Sequence, residues 1–181
     1  MTVQSQSDLD QFYLSADPWN YEATHDDHER KGRLLSLIPP LTFSRTLDIG
    51  CGNGFVTVEL PRAEVVGVDF SPKAVGFARD RAALRPDAPR FTFHAASVFD
   101  LDPAQLGTFQ LVVITGVLYS QYIGHGFARV RQVIDDILEP GGFLVSCQID
   151  EWSPWRFPYT TVDVSYYQYR EYTHRLEVLL K

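Results

Sequence analysis

Between Thr46 and Phe55 the chain reads TLDIGCGNGF, with three glycines in five positions directly behind a short apolar run. Glycines placed there let the backbone enter conformations closed to other residues and leave bare N–H groups that a ligand can approach closely. The stretch therefore predicts a strand, a ligand-cradling loop and the start of a helix. That unit belongs to α/β architecture, and the rest of the chain can be tested against it.

The test succeeds from residue 45 to 148, where short apolar runs alternate with helix-like stretches. RTLDI (45–49) predicts a first strand, FVTVELP (55–61) a short helix ended by Pro61, and EVVGVDF (64–70) a second strand. Ser71 can cap the next helix with Pro72 at its favoured first position, and Pro86 and Pro89 bound it. FTFHAAS (91–97) and FQLVVIT (109–115) predict the third and fourth strands, the latter apolar enough to be buried on both faces. A helix over about 126–138 leads through Pro140-Gly141-Gly142 into a fifth strand, FLVSCQI. Four parallel crossovers are expected. Beyond Asp150 comes a loop, EWSPWRFPYTTVD, then two strands over 162–170 and 172–180, the second antiparallel at or near the sheet edge. Upstream of Arg45, LDQFYLS and HDDHERKGRLLSLIPP predict helices on either side of DPWNYE.

Composition narrows the partners. With 181 residues, 45% of them apolar, one domain is expected: residues 1–44 as helices covering the site and 45–181 as its core. A formal charge of −7 argues against nucleic acid or anionic lipid, which demand clustered Lys and Arg. Two cysteines without metal-ligand spacing form no disulfide framework and suit a reducing cytoplasm. The start MTVQSQSDLD has no basic, then apolar, leader pattern, and no long apolar run predicts a membrane span. Five histidines show no HxxxH or HxH pair, so no metal is expected.

Within the loop, Phe55 occupies the place of a dinucleotide fingerprint's third glycine, which disfavours NAD or FAD. Asp69, closing the second strand, can accept both hydroxyls of a ribose.

In LDIGCGNG, VVGVDFS, ASVFDL, FQLVVITGVLY and LEPGGFLV, taken in order, the chain resembles the class I S-adenosylmethionine-dependent methyltransferases. The resemblance implies a single-domain Rossmann-like fold with a mostly parallel seven-stranded sheet of order 3-2-1-4-5-7-6 and helices on both faces. It further implies S-adenosylmethionine over the ends of the first two strands. Asp48 and the Gly50 backbone would face the methionine ammonium, and Cys51, Gly52 and Asn53 would line the chain beneath it. Asp69 would take the ribose, Phe70 the adenine face and Ser97-Val98 its amino edge, with Thr115 completing the set. Ser97 stands where the family usually has Asp, and so does Gln110. DPWNYEATHDDHERKGRLLSLIP together with VLYSQY is similar to the nodulation-type N-methyltransferases, although His25 and Asp26 stand where that group often carries aromatic residues.

A cation is wanted near the methionine carboxylate, and Arg30 or Arg33 is expected to supply it, with Trp19 as a roof. Tyr119, His125 and His25 are candidates to orient or deprotonate the acceptor. Trp152, Trp155 and Tyr159 are candidates for a lid. The expected activity is methylation of a small molecule, nitrogen ahead of oxygen. Two other readings fit the same residues: a catalytically inactive S-adenosylmethionine-binding module, and a nucleotide-dependent oxidoreductase.

Overall fold

The computed structural model describes residues 3–61 and 64–181, so the first two residues of the MTVQSQSDLD start lie outside the described residues. Seven strands form one sheet in the order β3-β2-β1-β4-β5-β7-β6, as the resemblance implied. They are β1 (Arg45–Ile49), β2 (Glu64–Asp69), β3 (Phe91–Ala95), β4 (Phe109–Thr115), β5 (Leu138–Ile149), β6 (Thr160–Tyr169) and β7 (Tyr172–Leu180). The first five pair in parallel, and β7 runs antiparallel to both β5 and β6. β7 thus lies inside the sheet, with β6 at its edge.

Alternation along the central strands supplies two apolar layers. In β4, Val112 and Ile114 pack with Leu47, Ile49 and Leu144 against α6 (Phe127–Ile137). Leu111 and Val113 point the other way, onto Leu34 and Ile38 around α2 (His25–Leu37). Because successive side chains of a strand alternate in direction, a strand apolar at every position must be covered on both faces. The helices complete that cover. Val130, Val133, Ile134 and Ile137 of α6 recur at helical spacing and are all buried.

Local signals set the element ends. Ser71 caps α3 (Pro72–Ala83), its hydroxyl accepting the Ala74 N–H. Ser5 and Asp8 close a reciprocal capping box on α1 (Gln6–Phe12). Asp17 accepts the N–H groups of Tyr21 and Glu22, which folds DPWNYE into a compact turn between α1 and α2.

Two elements differ from expectation. The segment 55–61 makes a single tight 3₁₀ turn, Thr57–Glu59, because the glycine loop consumes the chain to Gly54 and β-branched residues fill the interval before Pro61. The last helix ends at Ile137 and β5 starts at once, with Gly141 at φ 77° inside an irregular pairing that becomes regular from Phe143. α4 (Pro103–Leu106) and α5 (Ser120–Ile123) are short connectors. No helix among the described residues is long and apolar enough to cross a membrane.

Candidate active site

A cavity of about 770 Å³ lies over the carboxyl ends of β1, β2 and β4, with the N-terminal segment on one side and the start of β7 on another. Its floor is the glycine loop. Gly50, Gly52 and Gly54 all adopt left-handed backbone, with φ of 77°, 53° and 80°. A side chain at Gly52 would also collide, since its β-carbon would stand 2.9 Å from the Tyr13 hydroxyl.

Two carboxylates face this floor. Asp48 is buried, accepts the Thr57 hydroxyl at 2.6 Å, and is pushed up to about 6, chiefly by burial. Asp69 accepts the Gly52 N–H and the Ser71 N–H, each at 2.9 Å, and burial outweighs these bonds to raise its pKa. Each of its oxygens keeps a lone pair for a further donor. Phe70, 37% exposed, offers a ring face beside it, and Ser97, Val98 and Thr115 line the same space. The Ser97 hydroxyl accepts the Phe99 N–H at 3.2 Å, so part of its capacity goes to holding its own turn.

The N-terminal segment is fastened over the loop. Asn53 donates to the Ala16 carbonyl at 2.7 Å, Gln6 to the Phe70 carbonyl at 2.9 Å and Lys73 to the Asp10 carbonyl at 3.1 Å. Trp19 lines the cavity, stacked on Tyr21 and edge-on to Tyr13. Cys51 is buried, and burial raises its thiol well above the ordinary value, so it fills space rather than reacts.

At the far wall Arg30, buried, pairs with Asp27 at 3.3 Å. Asp27 also accepts the Tyr169 hydroxyl at 2.7 Å and Arg170 at 2.8 Å. Arg30 and Arg170 both line the cavity. Tyr119 reaches it too, its hydroxyl accepting the buried Ile149 N–H at 2.8 Å, and burial raises its pKa so that it stays protonated.

Three expected site residues are not brought to the cavity. Arg33, one turn along α2 from Arg30, faces solvent, forks onto Glu29 and lies over the Tyr167 ring. His25 begins α2 with its side chain exposed, and His125 sits exposed in the turn before α6. The lid candidates also separate. Trp152 lines the cavity, edge-on to Tyr119 and Tyr172. Trp155 instead stacks on Phe127 of α6, and Tyr159 donates to Asp135 of the same helix, neither of them lining the cavity.

Sequence reasoning missed Tyr13, Tyr169, Arg170, Tyr172 and His174, all on the cavity wall. The tyrosine-rich stretch after residue 160 was the available signal. His174 is buried with Nδ1 3.2 Å from the Tyr167 hydroxyl and is pushed down to about 4, chiefly by burial and then by Arg30.

These groups fit S-adenosylmethionine: a backbone cradle without side chains, an acid for a ribose, an acid for an ammonium and a guanidinium for a carboxylate. No cluster of three His, Cys, Asp or Glu able to hold a metal occurs among the described residues. A family model described as a methyltransferase domain matches residues 43–173. The chain is 45% identical over 84 residues to the magnesium-protoporphyrin O-methyltransferase of Rhodobacter capsulatus, covering 44% of this chain and 35% of that protein. It is 30% identical over 167 residues to the ribosomal protein L11 methyltransferase of Ralstonia pickettii, covering 78% and 51%. The chain thus spans about a third to a half of the length of these relatives. The solved structure of N-methyltransferase NodS from Bradyrhizobium japonicum WM9 in complex with S-adenosyl-L-homocysteine superposes with a TM-score of 0.79 at 23% identity, over 97% of each chain. The chain belongs to the methyltransferase-domain family and has the fold of the class I S-adenosylmethionine-dependent methyltransferases.

Proposed function

We propose that this protein transfers a methyl group from S-adenosylmethionine to a small-molecule acceptor, nitrogen ahead of oxygen. The observation that carries this is one cavity lined both by the glycine loop, Asp48 and Asp69 and by Tyr119, Trp152 and Tyr172. The first set suits the cofactor and the second an acceptor.

When bound, the cofactor supplies an electrophilic methyl on a sulfonium. The chain's residues do the rest by position and environment. Asp48 and the Gly50 backbone would hold the ammonium, Arg30 the carboxylate, Asp69 the ribose, and Phe70 with Ser97 and Val98 the adenine. Fixing both reactants in line supplies several kcal/mol, on the order of 7 or more in well-oriented cases. The aromatic wall and the fastened N-terminal segment exclude water, which leaves an amine lone pair unsolvated.

Support for nitrogen comes from the protonation states. Tyr119 stays protonated through neutral pH, so it is no base for a hydroxyl, while its oxygen has a second lone pair that can accept an N–H of an unprotonated amine and leave the nitrogen lone pair free. The acidic balance of the chain supports a small molecule over nucleic acid.

Calorimetry with S-adenosylhomocysteine tests the cofactor half: saturable binding is expected, reduced at least about tenfold by Asp69→Ala, the loss of a charge-assisted bond. Incubation with S-adenosylmethionine and a panel of amines and phenols tests the other, read as the mass gain of one methylene. Binding without any product would favour an inactive module, and preferential binding of NADH would favour the oxidoreductase.

A further inference from the structure

We propose that the acceptor carries a carboxylate and that Arg170, at the turn between β6 and β7, is the residue that selects it. This rests on the cofactor assignment above, because that assignment commits Arg30.

The far wall carries guanidinium donors that its own acid does not saturate. Arg30 and Arg170 share one buried carboxylate, Asp27, at 3.3 and 2.8 Å. Asp27 is further committed to the Tyr169 hydroxyl. With the methionine carboxylate on Arg30, two guanidinium groups face two carboxylates, so a further anion would be selected by open hydrogen-bond donors rather than by net charge, and such donors count for more on a partly desolvated wall than in bulk water. If Arg30 meets the methionine carboxylate, Arg170 remains. Only Nη2 of Arg170 is bonded to Asp27; among the described residues its Nε and Nη1 donate to no protein atom. Its side chain is 42% exposed and lines the cavity, so that edge of the fork is available.

The backbone points the same way. Arg170 stands at φ 54°, in the left-handed region, at the first position of a two-residue hairpin turn where Gly or Asn would sit without strain. Strain of this kind is kept where neighbouring contacts impose it, and here the contact is an ion pair at a cavity wall. A planar fork matches a carboxylate with two parallel hydrogen bonds, which a lysine in the same place could not do.

The rest of the cavity orients such an acceptor. Trp152 lies edge-on to Tyr172 at 4.8 Å and to Tyr119 at 5.5 Å, giving a wall for a flat apolar body. Asp69 beside the glycine loop disfavours an anion there. The carboxylate therefore goes to Arg170, and the nucleophile at the other end of the acceptor faces the methyl.

The test is calorimetry on the full chain saturated with S-adenosylhomocysteine, using 4-aminobenzoate, 4-hydroxybenzoate and their neutral amides as probes. The acids are expected to bind at least about tenfold more tightly than the amides, and Arg170→Gly to erase that preference. Glycine suits the turn, so this variant folds, and its affinity for S-adenosylhomocysteine should stay within about twofold of the parent. Arg170→Lys should recover part of the preference as a point charge. Equal affinity for acids and amides in the parent, a preference that survives Arg170→Gly, or a large loss of S-adenosylhomocysteine affinity in that variant would each overturn the proposal. Failure of the parent to bind S-adenosylhomocysteine would instead remove the cofactor assignment, and this inference with it.

Discussion

A β-carbon on Gly50 would stand 2.2 Å from Cγ2 of Val117, so the turn after β1 and the segment after β4 touch with no room for a methyl group. Gly50 also holds left-handed backbone. Gly50→Ala therefore combines a backbone cost of about 1–2 kcal/mol with an overpacking cost of about 1–3 kcal/mol. Urea unfolding should show the sum, and adding Val117→Ala should return the overpacking share alone. A double variant no more stable than Gly50→Ala would show that the clash is not where the cost arises.

Asp48 and His174 titrate in opposite senses. Asp48 is raised from 3.8 to about 6, so across that window the folded chain holds a proton the unfolded chain lacks, and stability falls as pH rises. His174 is lowered from 6.5 to about 4, so the unfolded chain holds the extra proton and stability rises with pH. Between about pH 4 and 6 the two nearly cancel. Asp48→Asn should expose the His174 slope, up to about 1.4 kcal/mol per pH unit, and His174→Gln the opposite one. Urea midpoints at several pH values decide it: variant profiles parallel to the parent would contradict the assignment.

How much of this was legible in the sequence depended on the range of the interaction that set each feature. β1, β2 and β4 were readable because mostly apolar runs such as FQLVVIT need cover on both faces, and the Ser71-Pro72 helix start was written in adjacent residues. Arg30 and Arg33 could not be separated, since the choice depends on which face of α2 meets Tyr169, a residue more than a hundred positions away. Arg170 and His174 were invisible for a similar reason. Only the antiparallel pairing of Ile149 with His174 carries the β6–β7 turn round to the cavity.

Tyr119 supports the backbone as well as the cavity. Its hydroxyl is the acceptor for the buried Ile149 N–H, so Tyr119→Phe leaves that group unpaired at a cost of about 1–3 kcal/mol. A matching fall in thermal midpoint is expected, with S-adenosylhomocysteine affinity within about twofold. An unchanged midpoint would mean that another acceptor or water satisfies Ile149.

Arg175 fastens the loop after β5. Its guanidinium is buried, donates to Glu177 at 2.9 Å and to the Ser153 and Trp155 carbonyls at 3.1 and 3.0 Å, and pairs with Asp150. Arg175→Met would leave those acceptors facing an apolar side chain, with Glu177 the more buried of its two acidic partners, at about 3–5 kcal/mol. Limited proteolysis should then cut within 150–159 before the rest of the chain. Cleavage kinetics equal to the parent's would show that Trp155 on Phe127 holds the loop unaided.

Arg30 and Arg33 are one turn apart on α2 and should behave differently. Arg30 is buried at the cavity wall beside Asp27, whereas Arg33 is exposed, occupied by Glu29 and outside the cavity. An exposed i,i+4 pair contributes only about 0.3–0.5 kcal/mol, so Arg33→Ala should leave both stability and S-adenosylhomocysteine affinity nearly unchanged. With the methionine carboxylate on Arg30 as proposed, Arg30→Ala would remove a charge-assisted bond worth about 1.5–3 kcal/mol, or roughly 10- to 100-fold in affinity. The fold should survive, because Asp27 keeps Arg170 and the Tyr169 hydroxyl as partners. Calorimetry with S-adenosylhomocysteine and with its decarboxylated analogue makes the role specific: the analogue should bind parent and Arg30→Ala alike. If the analogue also loses affinity in Arg30→Ala, the arginine acts by shaping the wall, and the carboxylate is held elsewhere.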